Sequence, residues 1–268
     1  MPALLRRLYR LFLMLLLAVF GIATELLVFP LISPQRRRAI IRQWSRALLA
    51  ACGLRLRVHG EGAASLAELA PGRMLIANHI SWLDIFAINA VATSAFVAKA
   101  EVRRWPVAGW LAALAGTVFI ERARRHAVHQ AIEQLRRRIR ERFPVAVFPE
   151  ATTSAGLTLL PFYGNLLEAA IAEDAEIIPL ALRYRNGEGA LAAEAAYIGD
   201  TTFVESLWMV LGAQGLVAEV HVLRAVATSG RNRHELAREL RSLVGASLGL
   251  PNEDTAPETT AGFQAASR

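Results

Sequence analysis

The sequence predicts an α/β domain, a central mixed sheet flanked by helices, preceded by an N-terminal membrane-associated helical hairpin. Three observations predict it. From Leu54 onward short apolar strand-like runs alternate with helical stretches, the signature of an α/β domain. Leu11 to Ile32 is apolar apart from Thr24 and Glu25, and Arg36 to Ala51 is a basic stretch with helical periodicity. The chain of 268 residues is also 54% hydrophobic, with a mean hydropathy of +0.34, which is high for a freely soluble protein and long enough for one sizeable core with an appendage.

Taken in order, Leu11 to Ile32 as a helix would reach ~33 Å, against a hydrocarbon core of ~30 Å. A spanning helix fits that length. However, Glu25 sits poorly in lipid, and arginines flank both ends (Arg6, Arg7, Arg10; then Arg36, Arg37, Arg38), so loop charge gives no orientation. A signal peptide fits the basic start and Gly21-Ile22-Ala23, but the apolar run continues well past that site. A monotopic hairpin fits best: the first helix dips into one leaflet and the second returns along the surface. The second helix places Ile40, Ile41, Trp44 and Leu48 near one face and Arg38, Arg42 and Arg46 on another, as expected of an interfacial helix facing anionic head groups. An ordinary core helix would show the same pattern.

Strands are expected at Leu54–His59, Arg73–Asn78, Ala95–Ala100, Thr117–Glu121, Val145–Pro149, Glu176–Tyr184, Ala192–Ile198 and Val217–Leu223. Helices are expected at Ser81–Val91, Arg124–Arg142, Leu166–Ala172, Phe203–Ala213 and His234–Leu248, with Val128, Ile132, Leu135 and Ile139 as the buried stripe of the second. Residues 251–268 are Thr/Ala/Glu-rich without periodicity and read as a disordered tail. The expected organisation is therefore 1–52 as membrane-binding helices, 53–250 as the α/β domain and 251–268 as the tail.

Four blocks carry chemistry. Asn78-His-Ile-Ser-Trp-Leu-Asp84 follows an apolar strand and sets His79 and Asp84 five residues apart. A carboxylate on one ring nitrogen fixes the tautomer and supports imidazolium, leaving the other nitrogen to take a proton. Ser81 with Asp84 also spells a capping box, so the same residues could simply start a helix. Gly116-Thr-Val-Phe-Ile-Glu-Arg122 delivers Arg122 from a strand, placed either to pair bidentately with a phosphate or to bridge a neighbouring carboxylate. In Val147-Phe-Pro-Glu-Ala-Thr-Thr-Ser154 a strand breaks at Pro149 and Glu150 heads a run of hydroxyls. Ile177-Ile-Pro-Leu-Ala181 places a proline in an apolar strand, which suggests an edge, a bulge or a pocket wall.

Together these blocks resemble the glycerolipid acyltransferase family, of the bacterial lysophosphatidic acid acyltransferase type. The first motif, Asn-His-x-Ser-x-x-Asp, is met in full at 78–84 and the second, Gly-x-x-Phe-Ile-x-Arg, at 116–122. The third normally has glycine where this chain has Ala151. The likeness spans roughly 50 to 225 and includes Lys99 ahead of Trp105-Pro-Val-Ala-Gly109, and Leu160-Pro-Phe162 with Gly164-Asn-Leu-Leu-Glu-Ala-Ala170. It implies a glycerol-3-phosphate acyltransferase-like fold. Its expected reaction moves a fatty acyl group from acyl-CoA or acyl carrier protein to the free hydroxyl of 1-acyl-sn-glycerol-3-phosphate.

In this reading His79 is the general base, oriented by Asp84. Arg122 holds the acceptor's phosphate, Glu150, Thr152 and Thr153 shape the same pocket, and Asn78 and Lys99 are further substrate contacts. No cofactor beyond the acyl donor is implied. Both donors are cytosolic, so the resemblance implies a bacterial inner-membrane enzyme with its catalytic domain on the cytoplasmic face. The segment Leu159–Ala170 also resembles relatives that acylate lyso-ornithine lipids. A glycine replaced by Ala151 suggests an ordinary φ there, or a head group that does not press on this loop.

Other classes are less well supported. The net charge is +7, and of 30 Lys+Arg only Lys99 is lysine, so the surface favours anionic partners. The arginines are scattered or lie on amphipathic faces with no nucleic-acid module beside them, so no nucleic-acid partner is expected. A basic membrane-bound scaffold without activity would not need His79, Asp84 and Arg122 together. The only cysteine, Cys52, excludes an intrachain disulfide and a cysteine-based zinc site. His126 and His129 sit beside Arg124 and Arg125, an unfriendly place for a cation, and no metal is expected.

Overall fold

The computed structural model describes residues 2–60, 62–63, 66–69, 71–104, 109, 117–120 and 125–250, without the side chains of 69, 99, 104 and 125–127. Arg122 and the tail 251–268 lie outside the described residues.

The chain begins with two helices, α1 (Ala3–Leu27) and α2 (Pro34–Ala51), joined by a 3₁₀ turn at Phe29–Leu31 that contains Pro30. Ser33 caps α2 by accepting from the Arg36 N–H, and Pro34 occupies the first turn, where no amide donor is required. The hairpin is held together at its centre, where Trp44 Nε1 donates to the Leu17 carbonyl at 2.8 Å. Gly21 permits that approach, since a Cβ there would lie 3.0 Å from Trp44 Nε1. Leu48, Leu49 and Cys52 belong to the same buried cluster as the sheet, so α2 is tied to the α/β core along its second half.

The sheet follows: β1 (Leu54–His59), β2 (Met74–Ala77), β3 (Ala95–Lys99), β4 (Val118–Ile120), β5 (Val145–Val147), β6 (Ile177–Arg185) and β7 (Leu216–Val222), in the order β1-β7-β6-β2-β5-β3-β4. All neighbours are parallel except β6 and β7, which makes the sheet mixed as expected. β2 is buried at every residue, the pattern of a central parallel strand covered on both faces. The helices between the strands are α3 (Leu66–Leu69), α4 (Leu83–Asn89), α5 (Arg125–Arg140), α6 (Glu168–Ile171) and α7 (Phe203–Gly212), and α8 (Arg233–Leu248) follows β7.

Two cores sandwich the sheet. One packs Leu75, Ala77, Leu180 and Leu182 against α2, α4 and α7, with Leu11, Met14 and Leu17 of α1 at its margin. The other packs Met74, Ile76, Val145 and Ile177 against Leu135 and Ile139 of α5 and Leu236, Leu240 and Val244 of α8. α8 is closed at both ends, by Asn232 accepting from the His234 amide and by Gly249 in the left-handed region.

Two local expectations fail. Ala192–Ile198 is not a strand. A 3₁₀ turn at Ala193–Ala195 forms instead, because an alanine-rich run has little side chain to pack on a pleated surface, and Tyr197 N–H goes to the Ile80 carbonyl rather than to a ladder. The region Leu166–Ala172 divides into a 3₁₀ turn, Gly164–Leu167, and the single-turn α6. Pro179 lies in the central strand β6, at a bulge. The register slips by one residue between Leu180↔Val222 and the bridge Ile177↔Val226, so the missing donor is accommodated opposite the extra residue.

Candidate active site

β2 ends at Ala77, and the next two side chains have opposite fates. Asn78 is fully buried and its amide takes the place of a ladder pair, with Nδ2 donating to the Leu182 carbonyl at 3.0 Å and Oδ1 accepting from Leu182 N–H at 2.7 Å. One donor and one acceptor of that amide go to β6, so Asn78 stitches the strand end to the sheet. His79, released from the ladder, keeps 21% of its side chain exposed.

The His79 ring is held by two contacts and its backbone by a third. Nδ1 lies 2.8 Å from Asp84 Oδ2, and the imidazole stacks on Phe148 with centroids 4.0 Å apart and planes 9° from parallel. The His79 backbone N–H donates to Glu150 Oε1 at 2.8 Å. Nε2 is the ring nitrogen that Asp84 does not engage.

Asp84 is fully buried yet surrounded by donors. Its Oδ2 accepts from His79 Nδ1, from Ile80 N–H at 2.7 Å and from Ser81 N–H at 2.9 Å; its Oδ1 accepts from the Tyr184 hydroxyl at 2.7 Å. An acceptor-only carboxylate satisfies all four. Burial, then the neighbouring Asp84 charge, pushes the Tyr184 hydroxyl well above its usual range, so it stays a donor.

The capping expectation is half met. Asp84 does reach back over the start of α4, but Ser81 does not cap it. The helix begins at Leu83 without a side-chain cap, and the buried Ser81 Oγ has no hydrogen-bond partner among the described residues.

Glu150 is buried with both oxygens on main chain, Oε1 on His79 N–H and Oε2 on Leu160 N–H at 3.0 Å. Burial raises its carboxyl to about 7, with the two backbone donors acting in the opposite direction. The residue expected to shape the acceptor pocket therefore clamps two loops at the site. Thr153 donates to the Tyr197 carbonyl, whereas Thr152 is exposed. Ala151 overturns the expectation of an ordinary φ: it sits at φ +60°, in the left-handed region that glycine adopts freely. Ile120 ends β4 on the edge of the sheet shared by the C-terminal ends of β2 and β5; Arg122 itself lies outside the described residues, and so does the side chain of Lys99.

Sequence reasoning missed Tyr184 and Phe148. Phe148 adjoins Pro149 inside the third motif block, so an aromatic ring one residue from the strand break was the signal that could have found it. Tyr184 is 100 positions from Asp84 with no local signal.

Comparison with known proteins places this geometry. An acyltransferase family model matches residues 55–183. The chain is 35% identical over 221 residues to a lyso-ornithine lipid O-acyltransferase of Pseudomonas aeruginosa, covering 81% of each chain. It is 36% identical over 214 residues to a 1-acyl-sn-glycerol-3-phosphate acyltransferase of Neisseria meningitidis, covering 80% of this chain and 82% of that one. The crystal structure of the 1-acyl-sn-glycerophosphate acyltransferase PlsC from Thermotoga maritima shares the fold, with a TM-score of 0.68 at 23% identity over 92% of this chain and 94% of that one. With four-fifths of its length matched to two such relatives and its sheet matched to a third, the chain belongs to the glycerolipid acyltransferase family.

Proposed function

We propose that this acyltransferase moves a fatty acyl group from acyl-CoA or acyl carrier protein to the free hydroxyl of 1-acyl-sn-glycerol-3-phosphate, giving phosphatidic acid. The observation that carries the chemistry is the His79–Asp84 pair, with Nδ1 committed to a buried carboxylate and the ring partly open to solvent. In the step, His79 Nε2 takes the proton of the acceptor hydroxyl as its oxygen attacks the thioester carbonyl. The tetrahedral centre then collapses, the C–S bond breaks, and the imidazolium returns the proton to the departing thiolate. Asp84 holds the tautomer and supports the transient positive charge. The step needs no group beyond the acyl donor.

The other residues divide by what they touch. Asn78, Glu150 and Thr153 position the strand end and the loops around His79. Arg122, with Lys99, is assigned to the phosphate of the acceptor, and the exposed Thr152 is assigned to the same pocket. A second acceptor, a lyso-ornithine lipid, is favoured by the name of the Pseudomonas relative. Membrane association is supported by α1. At 25 residues it is long enough to cross a bilayer, ~37 Å against ~30 Å. However, its inner face is packed on α2 and α7, and a spanning orientation would carry the arginines of α2 into the hydrocarbon. A monotopic anchor avoids that cost, and the cytosolic acyl donors favour the cytoplasmic face of the inner membrane.

The test is turnover by the purified full-length chain on a panel of 1-acyl-sn-glycerol-3-phosphate and lyso-ornithine lipid, each with acyl-CoA and acyl carrier protein. Phosphatidic acid should be the preferred product, and His79→Ala should lose roughly 10²–10⁴-fold while remaining folded. Preference for lyso-ornithine lipid reassigns the acceptor; residual His79→Ala turnover within a few-fold of the parent removes His79 as the base.

A further inference from the structure

We propose that α7 is a second membrane-contacting element, lying beside α1 in the headgroup–acyl boundary and setting the active-site loop at the level of the bilayer surface. The proposal rests on the membrane association of α1. Its own observation is the outward stripe of α7. The exposed positions of this ten-residue helix are Val204 (73% exposed), Glu205, Trp208 and Met209 (38% each for the last two). The exposed face of a surface helix is normally polar. Here the one charge on it, Glu205, is folded back onto the N–H and hydroxyl of Thr202 at 2.8 Å, leaving valine, tryptophan and methionine outward.

That stripe continues the face of α1. Arg6 donates to the Gly212 carbonyl, and Arg10 donates to those of Leu211 and Ala213, so the basic start of α1 closes the carbonyl end of α7. The Arg7 guanidinium lies 5.0 Å over the Trp208 ring. The Arg7 guanidinium packs directly over Gly212, where a Cβ would fall 2.6 Å from Arg7 Nε and the arginine would have to shift. These three arginines are turned inward onto α7, and the surface on either side of the joint is apolar: Leu4, Leu8, Phe12, Leu15 and Val19 on α1, then Val204, Trp208 and Met209 on α7. Continuity with the α1 face commits the occupant to lipid, and Trp and Met suit the interfacial depth.

The opposite side of α7 reaches the site. Trp82, which lies between His79 and Asp84 in sequence, donates from Nε1 to Ser206 Oγ at 3.1 Å and packs edge-on against Phe203 with centroids 5.3 Å apart. A lysolipid held in the outer part of the leaflet would therefore meet the His79 loop without leaving the surface that α7 touches.

Selective labelling is available because Cys52 is buried and its thiol is pushed up to about 12, leaving it unreactive at neutral pH. Val204→Cys, Phe12→Cys on α1 and Arg57→Cys on the edge strand β1, each in the full-length chain, would carry an environment-sensitive fluorophore. Each would be reconstituted in vesicles of phosphatidylethanolamine and phosphatidylglycerol. Labels at 204 and 12 should both be quenched by lipid brominated on the acyl chain and shielded several-fold from aqueous iodide, with 57 showing the reverse. Quenching at 12 with 204 behaving like 57 overturns the proposal and leaves α1 as the sole anchor. A 204 label shielded from iodide but untouched by brominated lipid also overturns it, by assigning the stripe to a protein contact. If neither 12 nor 204 responds to brominated lipid, the membrane reading of α1 falls with it.

Discussion

Replacing Asp84 with Asn separates the two jobs of this carboxylate, holding the tautomer and supplying charge. In a serine-protease triad the same change costs ~10⁴-fold because the amide forces the wrong histidine tautomer. The surroundings of Asp84 predict otherwise. Its Oδ2 faces three donors, two of them the backbone N–H groups of Ile80 and Ser81, which cannot become acceptors. The carboxamide introduced by Asp84→Asn must therefore place its oxygen there and its nitrogen toward the Tyr184 hydroxyl, which can turn to accept. His79 would keep its proton on Nδ1 and Nε2 would still be the base.

What is lost in Asp84→Asn is charge. Two unit charges 4 Å apart at an effective dielectric of 20 interact by ~4 kcal/mol, or about 10³-fold in rate. The charge on the imidazole is only partly developed at the transition state, so a loss of about 10²–10³-fold in kcat is expected, with acceptor KM little changed. Thiol release from acyl-CoA at varied acceptor concentration measures both, and the variant should remain folded. Asp84→Ala is the contrast, because it leaves four buried donors unanswered at ~1–3 kcal/mol each. A 10⁴-fold loss for Asp84→Asn would mean that the amide turned the other way; turnover equal to the parent would mean that the pair does no proton transfer.

Glu150→Gln tests the clamp through pH. Below pH 4.5 Glu150 is protonated in folded and unfolded chains alike; between 4.5 and about 7 the unfolded chain loses the proton that the folded chain keeps. Its contribution to stability therefore falls as pH rises, by up to about 3 kcal/mol, and levels above 7. The stability difference between parent and Glu150→Gln in denaturant titrations should shift by that order across this window, and a pH-independent difference would contradict it. Ala151→Gly should stabilise by about 0.5–1 kcal/mol, the left-handed strain of ~1–2 kcal/mol less the entropy glycine adds to the unfolded chain, and a lowered Tm would count against strain at φ +60°. Arg122→Ala should raise the KM for 1-acyl-sn-glycerol-3-phosphate well above any effect on the acyl donor; equal effects on both would argue against phosphate binding.

What could be read from the sequence was whatever is local. Periodicity located the strands around β2, β5 and β6 to within a residue or two, and the one strand that failed, Ala192–Ile198, lacked the β-branched and aromatic side chains that reward pleated packing. His79 and Asp84 were legible as a pair because a strand end and a first helical turn bring positions five apart within bonding reach. Asn78 and Glu150 were legible as polar residues at a strand end, but not by role. Which donors surround a buried amide or carboxylate depends on Leu182, 104 positions away, and on the fold of the Leu160 loop. Tyr184 was invisible for the same reason, since only the parallel pairing of β2 with β6 brings its hydroxyl to Asp84.

The conformation of Ala151 bears on the choice of acceptor. An alanine in the place of the family glycine reads as a relaxed loop and weakens the case for a phosphomonoester. The backbone at φ +60° is instead the one glycine would adopt, held in place by Ala151 N–H donating to the Phe148 carbonyl and by the two hydrogen bonds of Glu150 beside it. Alanine therefore takes a backbone conformation that glycine also adopts, with only a methyl group added, so the substitution counts neither for nor against lysophosphatidic acid. Discrimination has to come from groups that can tell a phosphate from the ornithine head group, which returns the question to Arg122 and its strand end after Ile120. If so, Arg122→Ala should reduce turnover of 1-acyl-sn-glycerol-3-phosphate far more than that of lyso-ornithine lipid, whereas Ala151→Gly should change the two alike. A selectivity change in Ala151→Gly would put the acceptor's head group against this loop after all.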